Sequence, residues 1–179
     1  MSYSLDDFCD QTRTILLQND DHDGRESIRQ KLELLLNDPT FCSTYVGPDC
    51  NPGVNQIFED SNLKFCVLTY NMAESRTSPP HDHGRSWAVY GQAVKYTDMT
   101  IWCMADNDDG RIEPVRQFRL EPGQAGLFDA GEIHSIEYPD DAKFVRVTGV
   151  DMSTESRRVF DPDKGTVQTV EQVGTGDAR

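Results

Sequence analysis

Pro79-Pro80-His81-Asp82-His83-Gly84, read together with Gly131-Glu132-Ile133-His134, is the part of the chain that decides the fold. Two prolines end a loop and two histidines follow at i and i+2, where side chains of an extended strand share a face. Both imidazoles therefore aim the same way, and Asp82 between them aims the other way. His134 follows a strand, a glycine turn and the start of a return strand, so it can present a third imidazole from a neighbouring strand. Only four histidines occur in the chain, and the fourth, His22, lies in an acidic run and reads as a solvated surface residue.

Three neutral imidazoles occupy one face of a metal ion and leave its other positions open, which separates a catalytic site from a closed structural one. His81, His83 and His134 are thus the expected metal ligands. Imidazole suits iron, zinc, nickel and copper alike, so ligand type alone does not choose the ion.

Around this constellation the chain reads as strands. Lys64–Tyr70, Trp87–Gln92, Met99–Met104, Val115–Leu120, Gln124–Phe128, Ser135–Tyr138 and Phe144–Val150 are short and rich in β-branched or aromatic residues. Turn sequences separate them, among them Glu121-Pro122-Gly123 and Pro139-Asp140-Asp141. Short strands at regular spacing predict an all-β sandwich or small double-sheet barrel. Two helices precede it: one from Ser4 onward with Leu5, Phe8, Thr12, Ile15 and Leu16 on one face, and one over Arg25–Asn37 that stops before Asp38-Pro39. The expected organisation is a single domain: a helical segment over 1–40, a barrel over 41–173 with an edge strand at Val167–Val173, and a frayed tail over 174–179.

Composition narrows the function. The 179 residues carry a net charge of -14, which opposes binding to a nucleic-acid backbone. No apolar run approaches the roughly 20 residues of a membrane helix, and the acidic N-terminus lacks a signal-peptide pattern, so the expected location is the cytoplasm. The acidic runs at Asp20–Asp23 and Asp106–Asp109 read as solvated loops. Five cysteines form no CxxC pair, and Cys66 and Cys103 lie in strand-like runs as expected core residues. A local bridge between Cys42 and Cys50, across a Gly-Pro turn, is not favoured in a reducing compartment.

The HxH motif, the later Pro122-Gly123 through His134 and the tail Arg158–Gly165 resemble a cupin of the cysteine dioxygenase (thiol dioxygenase) family. Trp87–Gly91 is similar to the bacterial 3-mercaptopropionate dioxygenase branch. The resemblance covers about Lys64 to Gly165. It implies a cupin double-stranded β-helix, a jelly-roll-like small barrel with two N-terminal helices, and Fe(II) at three histidines, with Zn, Ni or Mn as other occupants. Ordinary cupins add a glutamate shortly after HxH, whereas Gly84–Ala88 has no carboxylate, as in thiol dioxygenases. The family implies a small organic substrate oxidised by O2, a substrate carboxylate held by arginine, and a Ser-His-Tyr relay on the last core strand.

Here Phe144, Arg146 and Thr148 stand at the relay positions, Asn55 at that of the arginine, and Ala88 at that of a crosslinking cysteine. Arg146 and Arg85 are the expected cationic clamps, and Tyr90, with Tyr70 and Tyr138, a source of a hydroxyl near the metal. Glu132, Asp129 or a backbone carbonyl is expected to orient the imidazoles. The leading expectation is an Fe(II)- and O2-dependent dioxygenase of a small organic substrate. The alternatives are a metal-dependent lyase or isomerase and a non-catalytic small-molecule-binding cupin. A homodimer is compatible with the sequence but not required by it.

Overall fold

The computed structural model describes residues 2–105 and 110–171. The acidic run at 106–109 and the end of the chain from 172, including the expected frayed tail, lie outside them.

Three helices open the fold. In α1 (Leu5–Gln18), Ser4 and Asp7 form a reciprocal capping box, and Phe8, Cys9 and Thr12 are buried. In α2 (His22–Leu36), Asp21 caps the start by accepting from the Asp23 and Gly24 amides at 3.0 and 3.1 Å. Most of the acidic run at 20–23 is therefore a helix cap and first turn rather than a free loop. Ile28, Leu32, Leu35 and Leu36 form the buried face of α2.

Asp38-Pro39 stops α2, as the sequence predicts, but also starts α3 (Pro39–Tyr45), a helix not anticipated. Proline fits the first helical position because the amide it lacks would have no partner there. The Asp38 carboxylate accepts from the Thr40 and Phe41 amides and from Ser2 and Tyr3. Those hydrogen bonds, led by the Tyr3 amide, hold its carboxyl down at about 2.

Eleven strands follow among the described residues. β1 (Gly53–Glu59), β2 (Cys66–Asn71), β9 (Lys143–Thr148), β4 (Ala88–Val94) and β7 (Ala125–Phe128) form a five-stranded sheet in the order β1-β2-β9-β4-β7. β3 (Arg76–Thr77), β8 (Ile133–Tyr138), β5 (Thr97–Met104) and β6 (Ile112–Leu120) form a second sheet in the order β3-β8-β5-β6. β10 (Arg157–Asp161) and β11 (Thr166–Val170) make a two-stranded ribbon. Every strand pairing among the described residues is antiparallel.

Strand alternation sorts the core into two layers. On β9, Val145 and Val147 face the helices with Val67 and Val89, against Ile28, Leu32 and Leu36. Phe144 faces the opposite way and packs with Leu68, Tyr70, Tyr90, Met99, Phe128, Ile136 and Tyr138 between the two large sheets. The helices meet the sheet closely at Gly91, where an added Cβ would come within 2.7 Å of both Leu32 and Leu36 side chains. The core is thus the all-β double-stranded β-helix of cupins, with helices on one outer face.

Each predicted strand is present, with shifted ends. The sequence reading omitted β1, β3 and β10. Cys103 is exposed rather than in the core, because Trp102 and Met104 on either side of it pack against Ile112, Ile133 and Phe160 and strand alternation turns Cys103 outward. Cys42 and Cys50 are free thiols.

Candidate metal centre

The HxH segment is not a regular strand. His81 makes isolated bridges to His134 on one side and Val159 on the other. Backbone hydrogen bonds at 2.9 Å run both ways between His81 and His134, which fixes the spacing of these two ligands. The i, i+2 expectation still holds locally. The rings of His81 and His83 are nearly parallel with centroids 5.4 Å apart, and each lies 4.7–5.0 Å from the His134 ring. One nitrogen from each of the three lies within 4.8 Å of the others, and all three side chains are buried. Among the described residues this is the one cluster of at least three His, Cys, Asp or Glu side chains positioned to hold an ion.

The His81 and His134 rings are oriented by backbone carbonyls, not by carboxylates. His81 Nδ1 lies 2.9 Å from the Pro79 carbonyl. A carbonyl only accepts, so Nδ1 carries the hydrogen and Nε2 keeps its lone pair for a ligand bond. His134 Nδ1 faces the Glu132 carbonyl at 3.4 Å in the same sense. The Glu132 carboxylate instead accepts from the Asp129 amide, while Asp129 takes His22 and Arg25. His22, 68% exposed, is thus a surface partner of the turn that precedes His134.

Burial holds His83 and His134 well below the ordinary imidazole value, and neighbouring imidazoles and the cations Arg146 and Arg157 push the same way. Both rings are therefore neutral, the form that binds a metal. His83 Nδ1 and His134 Nε2 are buried with no hydrogen-bond partner among the described residues. Buried polar atoms are normally satisfied, so these two nitrogens fit the role of metal ligands.

Arg146 lies on the inner face of β9, 3% exposed, paired across the sheet with Tyr90 of β4 and Leu68 of β2. Its guanidinium sits 5.0 Å over the Tyr70 ring. The Tyr90 hydroxyl is 3.2 Å from His83 Nε2, and the Tyr90 ring lies edge-on to His134. Phe144 stacks on Tyr70 at 4.5 Å, and the Thr148 hydroxyl donates to the Val150 carbonyl at 2.8 Å.

Two positions depart from expectation. Arg85 does not enter the site: its side chain is 89% exposed and pairs with Glu155 at 3.2 Å. Gly84, at φ 59°, turns the chain and breaks the alternation that would have kept residue 85 on the ligand face. Asn55 lies beside Thr69 on the other side of the five-stranded sheet, where its amide donates to the Asn51 and Gly53 carbonyls. It lines an outer groove with Tyr45, Cys50 and Asn71 rather than the barrel interior.

One residue near the cluster was missed altogether. Arg157 at the start of β10 is 8% exposed and its charge acts on both His83 and His134. Two consecutive arginines, Arg157-Arg158, open β10, and nothing local in the sequence tells which of them faces inward.

A double-stranded β-helix with three convergent imidazoles and no carboxylate among them defines the site: a candidate metal centre inside a cupin-type fold. No family model matches the chain, and no curated protein matches it. Among solved structures, KdgF from Halomonas sp. is 14% identical over 56% of this chain and 81% of its own, with a TM-score of 0.42. The cupin domain of Schizosaccharomyces pombe Cnp3 is 11% identical over 65% of this chain and 68% of its own, with a TM-score of 0.42. The DMSP lyase DddQ from Ruegeria pomeroyi DSS-3 is 12% identical over 54% of this chain, with a TM-score of 0.40. The match spans 45% of that lyase, less than half its length.

Proposed function

We propose that the chain is a metal-dependent cupin enzyme, an Fe(II)- and O2-dependent dioxygenase of a small anionic organic substrate. The observation that carries this reading is the cluster of His81, His83 and His134, all buried and within 4.8 Å, with Arg146 on the inner face of the same barrel. Three neutral ligands leave the full charge of a divalent ion uncompensated, so the site favours anionic ligands. Fe(II) bound there supplies a Lewis acid that orients substrate and the electrons that activate O2. Arg146 holds an acidic group of the substrate, and the aromatic lining of Tyr70, Phe128 and Phe144 limits water.

A second reading uses the ion only as a Lewis acid, in a lyase or isomerase. The Tyr90 hydroxyl beside His83 favours it, because a hydroxyl touching the cage can give or take a substrate proton.

Oxygen uptake by iron-loaded protein across small thiol acids and diketones separates the two. Uptake with at least one of them supports the dioxygenase; turnover that persists without oxygen, with Zn or Mn in place of iron, supports the lyase or isomerase. His81→Ala should reduce retained metal from near one equivalent to a trace, and unchanged retention would remove both readings.

A further inference from the structure

β10 runs alongside the metal-binding segment in a register that can be followed residue by residue. The Phe160 amide donates to the Pro80 carbonyl at 2.8 Å, and His81 bridges Val159. The Asp82 amide donates to the Arg158 carbonyl at 3.1 Å. Beyond them, a Cβ on Gly84 would meet the Ser156 carbonyl at 2.2 Å, and Arg85 pairs with Glu155. These four pairs and the Arg85–Glu155 contact bracket His83 and set Arg157 opposite it. Directly opposed residues of an antiparallel pair share a face. Asp82 and Arg158 share the face away from the cage, joined by an ion pair at 2.6 Å, so Arg157 takes the cage side with His83.

Arg146 reaches the same cluster from β9, on the wall that carries Tyr90. Both arginines are nearly buried, at 3% and 8% exposure, and both weigh on His83 and His134. Positive charge is thus concentrated in one internal place, in a chain whose net charge is -14.

We propose that this site binds a small organic dianion, one anionic group held by Arg146 and the other by Arg157. The substrate class rests on the reading of the three histidines as the metal centre, yet the two guanidiniums recognise the anion with or without the ion. Each planar guanidinium matches a carboxylate in bidentate fashion, and a second one adds selectivity for a ligand carrying two.

The test is calorimetric titration of the metal-free and the zinc-loaded protein with malonate and succinate against propionate and butyrate. The wild-type protein should bind a diacid at least ten-fold more tightly than the monoacid of equal length, in both forms. Arg157→Gln should abolish that preference while zinc stoichiometry stays unchanged, and Arg157→Lys should keep part of it. Equal affinity for mono- and diacids in the wild type would overturn the proposal. So would a preference that survives Arg157→Gln, or loss of fold in both Arg157 variants by circular dichroism, which would mark a structural role. Diacid preference without zinc binding would sink the enzyme reading and leave the anion pocket standing.

Discussion

Asp82 sits between the two histidines of its own tripeptide and turns away from both, its carboxylate 2.6 Å from Arg158 Nε and 2.8 Å from the Arg158 amide. The same carboxylate accepts from the Gly84 amide, so one side chain, almost fully buried, ties the ligand segment to a strand some 76 positions downstream.

Asp82→Ala leaves those amides without their acceptor and frees the segment to shift. Groups that orient metal ligands typically contribute ten- to hundred-fold in affinity, so zinc binding should weaken by roughly that factor. Asp82→Asn, which keeps an acceptor oxygen, should fall between. Competition with a chelator reads the change, and an affinity equal to wild type would show that β10 alone seats the histidines.

The acid side of the stability profile should report the neutral imidazoles. His83 and His134 are held well below 6.5, so in acid the unfolded chain binds more protons than the native one. Their contribution is complete above the unfolded value and is lost as pH falls toward the folded one. His22, whose value Asp129 raises, acts in the opposite sense, so the informative quantity is a difference between variants. The urea midpoint of metal-free protein should fall more between about pH 7 and pH 5 in the wild type than in His83→Phe. Parallel profiles would show that the His83 ring is protonated alike in both states.

Gly91→Val places branched carbon against Leu32 and Leu36 at the seam between α2 and β4. Overpacking of this kind costs about 1–3 kcal/mol, and Tm should fall accordingly. Gly91 points toward the helices and the metal site lies on the other face, so zinc stoichiometry should not change. Metal loss in a folded variant would contradict the separation of the two layers.

Thiol reactivity should follow burial. Desolvation pushes the Cys9 and Cys66 thiols up to about 12, whereas Cys103 is exposed. Alkylation of native protein at about pH 8, followed by peptide mass spectrometry, should mark Cys103 first and spare the other two. Early labelling of Cys66 would mean the barrel interior opens readily.

The cluster was legible in the sequence because it depends on local rules: a two-residue strand period for His81 and His83, and a glycine turn delivering His134. Arg146 was legible for the same reason, two residues from Phe144 and Thr148 on one strand. Asn55 was not placeable because β1 was not read as a strand, and only its pairing with Thr69 shows that it faces the helix side. Arg85 was misjudged because a single left-handed glycine ends the alternation. Arg157 was not visible, since its position depends on a pairing across more than seventy residues that no local pattern encodes.

That pairing also bears on the order in which the fold would assemble. The two large sheets share no residue with the stretch beyond Thr148, so the barrel's walls can close while the ligand tripeptide still lacks its neighbour. Assembly of the three-histidine cage is then expected to wait on the arrival of a ribbon rather than on the collapse of the core. A protease cut in the segment between β9 and β10 would be expected to leave a folded shell with a slack cage, distinguishable from the intact protein chiefly by how fast it surrenders its ion.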